Sequence, residues 1–381
     1  MLPARSRAFA GPRSGVTAAV RAGVGLWTVW GMTGSPRPDR ADAFASPPRD
    51  AGGGVEVVAT SPRAPELVPY HRTLRAGPHE TWKVWTGLAL FVVGMLIVVP
   101  LMLMPVFLVG VYLESTPETF LDNLISAAEM EVLSPGLLLW VNLTLAGLIP
   151  LTWLLTRYLH GVRPRWLTSV APRIRWRFLA ASAAVAVVAL GVQLGVGTLL
   201  PAGKEAGLDI AGGVNEIDGR WLALAAIVVL TTPLQAIGEE YAFRGYLLQL
   251  FGALWANKWV PITVTALLFA LAHGAQNVPL FADRFVFGFA AAWLVVRTGG
   301  LETGIAWHVV NNLTAFSVAL LFADIDSVLT VSSISYWHIP VTLSGVAVYV
   351  AGTLWVFNRS GLQSSGRPRP AALERRQHPA A

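Results

Sequence analysis

The sequence contains no cysteine, which excludes disulfides, thiolate metal ligands, a cysteine nucleophile and a prenyl or palmitoyl anchor on the chain itself. Charge is scarce too: Asp, Glu, Lys and Arg make up 13% of the residues, about half of what a soluble domain carries. An HExxH helix and a GxSxG elbow are both absent, which removes the common zincin and serine-hydrolase sites. No internal repeat of the kind that marks many transporters is visible.

What the sequence has in abundance is apolar surface, 54% of its 381 residues. Eight apolar segments stand at about 84–113, 133–156, 178–200, 221–250, 259–276, 282–296, 302–322 and 338–357. Most reach or approach the roughly 20 residues that cross a hydrocarbon core as helix. The expected fold class is therefore all-α, a polytopic membrane protein with about eight transmembrane helices in one domain spanning residues 81–358. Residues 1–80, rich in Pro, Arg and Ala, read as a disordered cytoplasmic tail. Residues 359–381 read as a second, basic one. Arg21 interrupts the mildly apolar stretch near the N-terminus and no small-residue cleavage site closes it, so a signal peptide is not expected; Met32 is an alternative start to Met1.

Charge in the connections orients the bundle. Arg157, Arg163, Arg165, Arg173, Arg175 and Arg177 follow the second segment, whereas Glu114, Glu118, Asp122, Glu129 and Glu131 follow the first with no basic residue among them. By the positive-inside rule the first segment runs outward. Alternation then places Lys258 and Arg297 inside, Asp324 and Asp326 outside, and the tail with Arg359, Arg367, Arg369, Arg375 and Arg376 inside. The expectation is an integral protein of a bacterial plasma membrane with both termini cytoplasmic. The net charge of +6 is accounted for in this way, so membrane lipid rather than nucleic acid is the expected partner. Gly191 and Gly195 form a GxxxG spacing that predicts close helix packing.

Against this background the stretch TTPLQAIGEEYAFRGYLLQLFGAL places Glu239, Glu240 and Arg244 inside an apolar helix. A charge at a helix centre in lipid costs about 2.5–3.5 kcal/mol on insertion scales, so each is a candidate for function. Glu240 and Arg244, four apart with the acid first, predict an ion pair. Glu239, turned about 100° away, faces a different neighbour. Two further helices add Phe269 with His273, and His308 with Asn312, each pair four residues apart on one face. A buried histidine alone is as often a satisfied core residue as a working one. Three helices offering polar groups inward are a different matter. A carboxylate in a dry pocket can take a proton from water, and histidine and asparagine can donate to the developing oxyanion. Alternatively, His273, His308 and Glu239 could hold a divalent metal, zinc by preference, with a bound water.

The motifs EExxxR (Glu239 to Arg244), FxxxH (Phe269 to His273) and HxxxN (His308 to Asn312), in that order and each in an apolar run, resemble the CPBP family. That family comprises type II CAAX prenyl endopeptidases and bacteriocin-processing or immunity proteins. The resemblance covers roughly residues 135–357 and implies a polar intramembrane chamber opening to the cytosol. It also implies an endopeptidase acting on membrane-associated substrates, among them prenylated CaaX-type proteins and peptides. Carried over, Glu239 activates water, Glu240 with Arg244 buttresses it, and His273, His308 and Asn312 bind the metal or the oxyanion. An ion-coupled transporter and a non-catalytic immunity or scaffold protein are the competing readings, since intramembrane Glu, Arg and His also build proton relays.

Overall fold

The computed structural model describes residues 67–78, 80–130, 132–201, 214–274, 276–322, 325–327, 329 and 331–372. All of them belong to the second of two contact units, Pro62–Ala381. The alternative start at Met32 and the stretch around Arg21 lie outside the described residues, as do Glu131, Asp324, Arg375 and Arg376.

The described residues form a polytopic all-α membrane protein. Its eight apolar helices are α1 (Thr81–Leu113), α2 (Pro135–Leu159), α3 (Trp176–Leu199), α4 (Gly219–Leu254), α5 (Trp259–Leu271), α6 (Val278–Thr298), α7 (Glu302–Phe322) and α8 (His338–Arg359). Local chemistry sets their limits. Ser134, Asp218 and Asn277 cap α2, α4 and α6, each accepting a hydrogen bond from the backbone N–H three residues on. Gly299 ends α6 at φ 75°, a left-handed conformation that favours glycine. Pro100 and Pro105 break α1 into shorter pieces after a π turn at Gly94–Val98.

Seven of the eight helices are long and apolar enough to cross a membrane. The exception is α5, whose 13 residues reach only about 20 Å. Its chain turns at His273 and Gly274, the latter at φ 77°, so the expected segment 259–276 stops five residues early. In α1 and α3, 17% of the spanning window is buried, against 44% in α6. The first two therefore form the lipid-facing rim, and α6 runs through the middle.

Contacts between connections define the two ends of the bundle. At one end Ser169 bridges Gly300, Val162 bridges Pro370, and β1 (Val68–Pro69) pairs antiparallel with β2 (Ser365–Gly366). The 3-10 turn Tyr70–Ala76 packs there on the last turns of α4. Gly252 is needed for this approach, because a Cβ would lie 1.8 Å from the His71 carbonyl oxygen. At the opposite end Asp326 accepts from the Leu133 N–H and pairs with Arg220, and the Asn277 N–H donates to the Ser332 carbonyl.

Two expectations need adjusting. Residues 68–76 and 360–371, assigned from the sequence to the tails, are packed against the helices, because Tyr70, Leu74 and Ala371 bury apolar surface there. The glycines of the GxxxG spacing make no close packing: a Cβ at Gly191 or Gly195 would meet nothing within 4 Å. The close approach of α3 uses glycines of the other helix instead, Gly345 against Gln193 and Gly352 against Val185.

Candidate active site

The six polar positions picked out from the sequence converge between α4, α5 and α7. Their depths agree. Because α4 runs on to Leu254, Glu239 sits about 22 Å above the end of its helix, and His273 about 21 Å above the start of α5.

Within α4 the hydrogen-bonding pattern changes at Glu240, where eight residues through Leu247 adopt π geometry. Such bulges recur at functional sites because they re-aim side chains within a helix. Every residue from Gly238 to Ala253 is buried, so the charges here must be met internally. Glu240 is 0% exposed and Arg244 1%. Arg244 Nη1 donates to Glu240 Oε1 at 2.8 Å. The guanidinium also lies 4.1 Å from the Phe269 ring centroid and 5.7 Å from that of Phe287, a cation–π arrangement that offsets its desolvation. Phe269 further packs edge-on against His273 and His308, so one aromatic ring supports a cation and two imidazoles.

His308 joins the two glutamates. Its Nδ1 donates to Glu240 Oε1 at 2.9 Å, and its Nε2 lies 3.4 Å from Glu239 Oε2. The expectation that the adjacent acids face different neighbours is therefore met only in part: they occupy opposite nitrogens of the same ring. Gly304, one turn before His308, permits this packing, since a Cβ there would lie 2.1 Å from Glu240 Oε2. Glu239 Oε1 accepts from Gln235 Nε2 at 2.8 Å, and Gln235 Oε1 in turn accepts from Asn312 Nδ2 at 3.0 Å. Glu239 Oε2 makes no hydrogen bond.

His273 stands just past the end of α5, exposed toward the cavity, with Nδ1 donating to the Phe269 carbonyl at 2.8 Å. In a neutral ring this leaves Nε2 as a bare acceptor. The turn that carries it is braced by Gln276, which donates to the Ala270 carbonyl and accepts from Arg284 Nη1 at 2.9 Å.

These groups line a cavity of about 640 Å³, with Glu239, His273, His308, Asn312 and Gln235 on its polar side and Phe269, Phe287, Trp307 and Phe316 on its apolar side. Its walls continue past Asp283 and Arg284 to Leu280, Gly274, Met130 and Leu329. Glu240 and Arg244 are behind the wall. Among the described residues no three His, Asp or Glu side chains stand together as a ready set of metal ligands; the hydrogen bond of His308 Nδ1 to Glu240 leaves its Nε2 turned toward Glu239. Gln235 and Gly304 were not singled out from the sequence. Gln235 could have been, because it precedes Glu239 by one helical turn in an apolar helix.

A family model described as type II CAAX prenyl endopeptidase Rce1-like matches residues 221–314, the stretch that contains all six positions. Among curated proteins, the uncharacterized protein YyaK of Bacillus subtilis (strain 168) is 28% identical over 157 residues, which cover 38% of this chain and 52% of that protein. The match thus spans about half the length of that relative. No solved structure matches.

Proposed function

We propose that this Rce1-like membrane protein is an intramembrane endopeptidase that hydrolyses peptide bonds of membrane-associated proteins or peptides with a water activated by Glu239. The observation that supports this most directly is the state of Glu239: its side chain lines the cavity together with His308 and His273, one carboxylate oxygen is held by Gln235, and the other has no hydrogen bond, with His308 Nε2 3.4 Å away.

In this reading Oε2 of Glu239 accepts a proton from water, and the bare Nε2 of His273 accepts the other O–H. The resulting hydroxide attacks the carbonyl carbon, and negative charge moves to its oxygen. Asn312, oriented by Gln235, donates to that oxygen; one such donor is worth about 2.7–4 kcal/mol of barrier in related chemistry. Collapse breaks the C–N bond, and the proton held between Glu239 and His308 passes to the leaving amine. Glu240 stabilises the imidazolium that His308 becomes, and Arg244 keeps Glu240 ionised and in place. The apolar wall suits a hydrophobic peptide segment or an isoprenoid. No step is routed through a metal, and chelation followed by zinc addition tests that part of the scheme separately.

The charged connections support an orientation with the end of the bundle that carries Arg157, Arg163, Arg165, Arg173, Arg177, Lys258 and Arg297 on the cytoplasmic side. The test of the activity compares protein termini by mass spectrometry in membranes carrying the native protein or Glu239→Gln at matched expression. New fragments that vanish in the variant are the expected result. Identical termini would move the reading to ion-coupled transport or a scaffold.

A further inference from the structure

Among the described residues, the connections that the cavity wall reaches are those at the acidic end of the bundle. Of the residues on its wall, Met130 belongs to the connection between α1 and α2, Gly274 to that between α5 and α6, and Leu329 to that between α7 and α8. These are the connections brought together by Asp326, Arg220 and Asn277. None of the cavity wall comes from the connections α2–α3, α4–α5 or α6–α7 at the basic end.

The basic end is closed by packing. Below Glu239, the buried run Glu240–Ala253 fills the bundle. Tyr70 donates to the Leu167 carbonyl, Gln249 to the Trp166 carbonyl at 3.0 Å, and Tyr241 shares a hydrogen bond with Thr168 at 2.7 Å. Arg175 and Glu302, both buried, form a two-pronged ion pair with contacts of 2.9 and 2.6 Å. A substrate or a water arriving from that side would have to break this floor.

Charge is partitioned the same way. The connections α1–α2 and α7–α8 at the mouth carry Glu114, Glu118, Asp122, Glu129, Glu131, Asp324 and Asp326 and no Lys or Arg, and the α3–α4 connection on the same side sets Lys204 against Glu205, Asp209, Glu216 and Asp218. The expectation that the termini are cytoplasmic and the expectation that the chamber opens to the cytosol therefore cannot both hold for this chain.

We infer that the cavity opens on the extracytoplasmic side of the membrane. It receives a membrane-associated peptide or protein segment that has already been translocated, so a translocation step must supply the substrate. This rests on the peptidase reading for what happens to the segment, but not for the direction of access.

The absence of native cysteine allows a clean test. Single-cysteine variants Glu118→Cys and Ala272→Cys mark the mouth, and Ser360→Cys marks the basic end; all three positions are exposed. A membrane-impermeant maleimide is applied to intact bacterial cells producing each variant, and to permeabilised cells. Positions 118 and 272 are expected to label in intact cells, and position 360 only after permeabilisation. The reverse pattern, or failure of position 272 to label in either preparation, overturns the inference. Because labelling requires no cleavage, an inactive protein that labels as expected would sink the peptidase reading alone.

Discussion

Replacing Arg244 with Met isolates the buried charge cluster behind the cavity. In the native protein Glu240 Oε1 is held by Arg244 and His308, while Glu240 Oε2 has no hydrogen-bond partner. Without Arg244 the carboxylate keeps only the imidazole, in a place with no access to water. Stranding one partner of a buried pair costs about 3–5 kcal/mol. Loss of the stacked cation on Phe269 adds about 0.5–2 kcal/mol, part of which the Met side chain restores by filling the space. At about 2–4 °C per kcal/mol, the midpoint of thermal unfolding in detergent should fall on the order of 10 °C. The double variant Glu240→Gln with Arg244→Met removes the stranded charge and should recover at least half of that loss, a coupling of about 2 kcal/mol or more. Cleavage should stay low in both, because His308 no longer faces an ionised Glu240. An Arg244→Met protein within about 1 kcal/mol of native would refute the reasoning. So would a double variant as unstable as the sum of its single losses.

Gln235→Ala removes the link between Glu239 and Asn312 and should lower kcat by about 10- to 100-fold, at or below the roughly 100-fold that marks the low end for a proton-transfer group itself, because Gln235 only positions one; unfolding temperature measured alongside should change little. Gly304→Ala places a methyl group where Glu240 Oε2 now sits, 2.1 Å from an ideal Cβ, and should destabilise by about 1–3 kcal/mol, as overpacking does, with loss of cleavage. Outside the membrane-spanning helices, burial holds the His71 imidazole below its ordinary 6.5 against the opposing Ala256 carbonyl, and Arg72 and Lys258 push the same way as burial. The undocked segment binds the proton more readily, so docking of residues 67–76 is fully supported above pH 6.5 and weakens as pH falls below it. Hydrogen exchange of that segment at pH 5.5 and 7.5, corrected for intrinsic rates, should show the difference, and His71→Phe should remove it.

Much of the fold was legible because lipid imposes simple length and composition rules. The apolar runs predicted all eight helices, and the connection charges sorted the same ends that the Ser169–Gly300 and Leu133–Asp326 contacts bring together. What escaped were features decided by which face of a helix meets a neighbour. The Gly191–Gly195 spacing says that two small residues share a face, but not that the face is occupied. The shortness of α5 depends on the turn at Gly274, and the packed segment at Tyr70 rests on too few apolar residues to show a period. At the site, residue types announced themselves by their cost in lipid. Gln235 and Gly304 did not, being uncharged and common in membrane helices.

The adjacent acids acquire a reason only with the local geometry of α4. In a regular α-helix successive side chains diverge by about 100°, which separates Glu239 from Glu240 and suggests two partners. The wider π turn, closed by i→i+5 hydrogen bonds, turns less per residue and begins at Glu240. A single imidazole can then meet one carboxylate on each nitrogen, as His308 does. The two acids are not interchangeable in that arrangement. Glu240 is tied to a permanent cation and shut away from the cavity, so in the proposed reaction its part is to hold charge on His308. Glu239 has a neutral amide on one oxygen and the His308 Nε2 at 3.4 Å from the other, and its side chain lines the cavity, so in the proposed reaction it is the one positioned to exchange a proton with water.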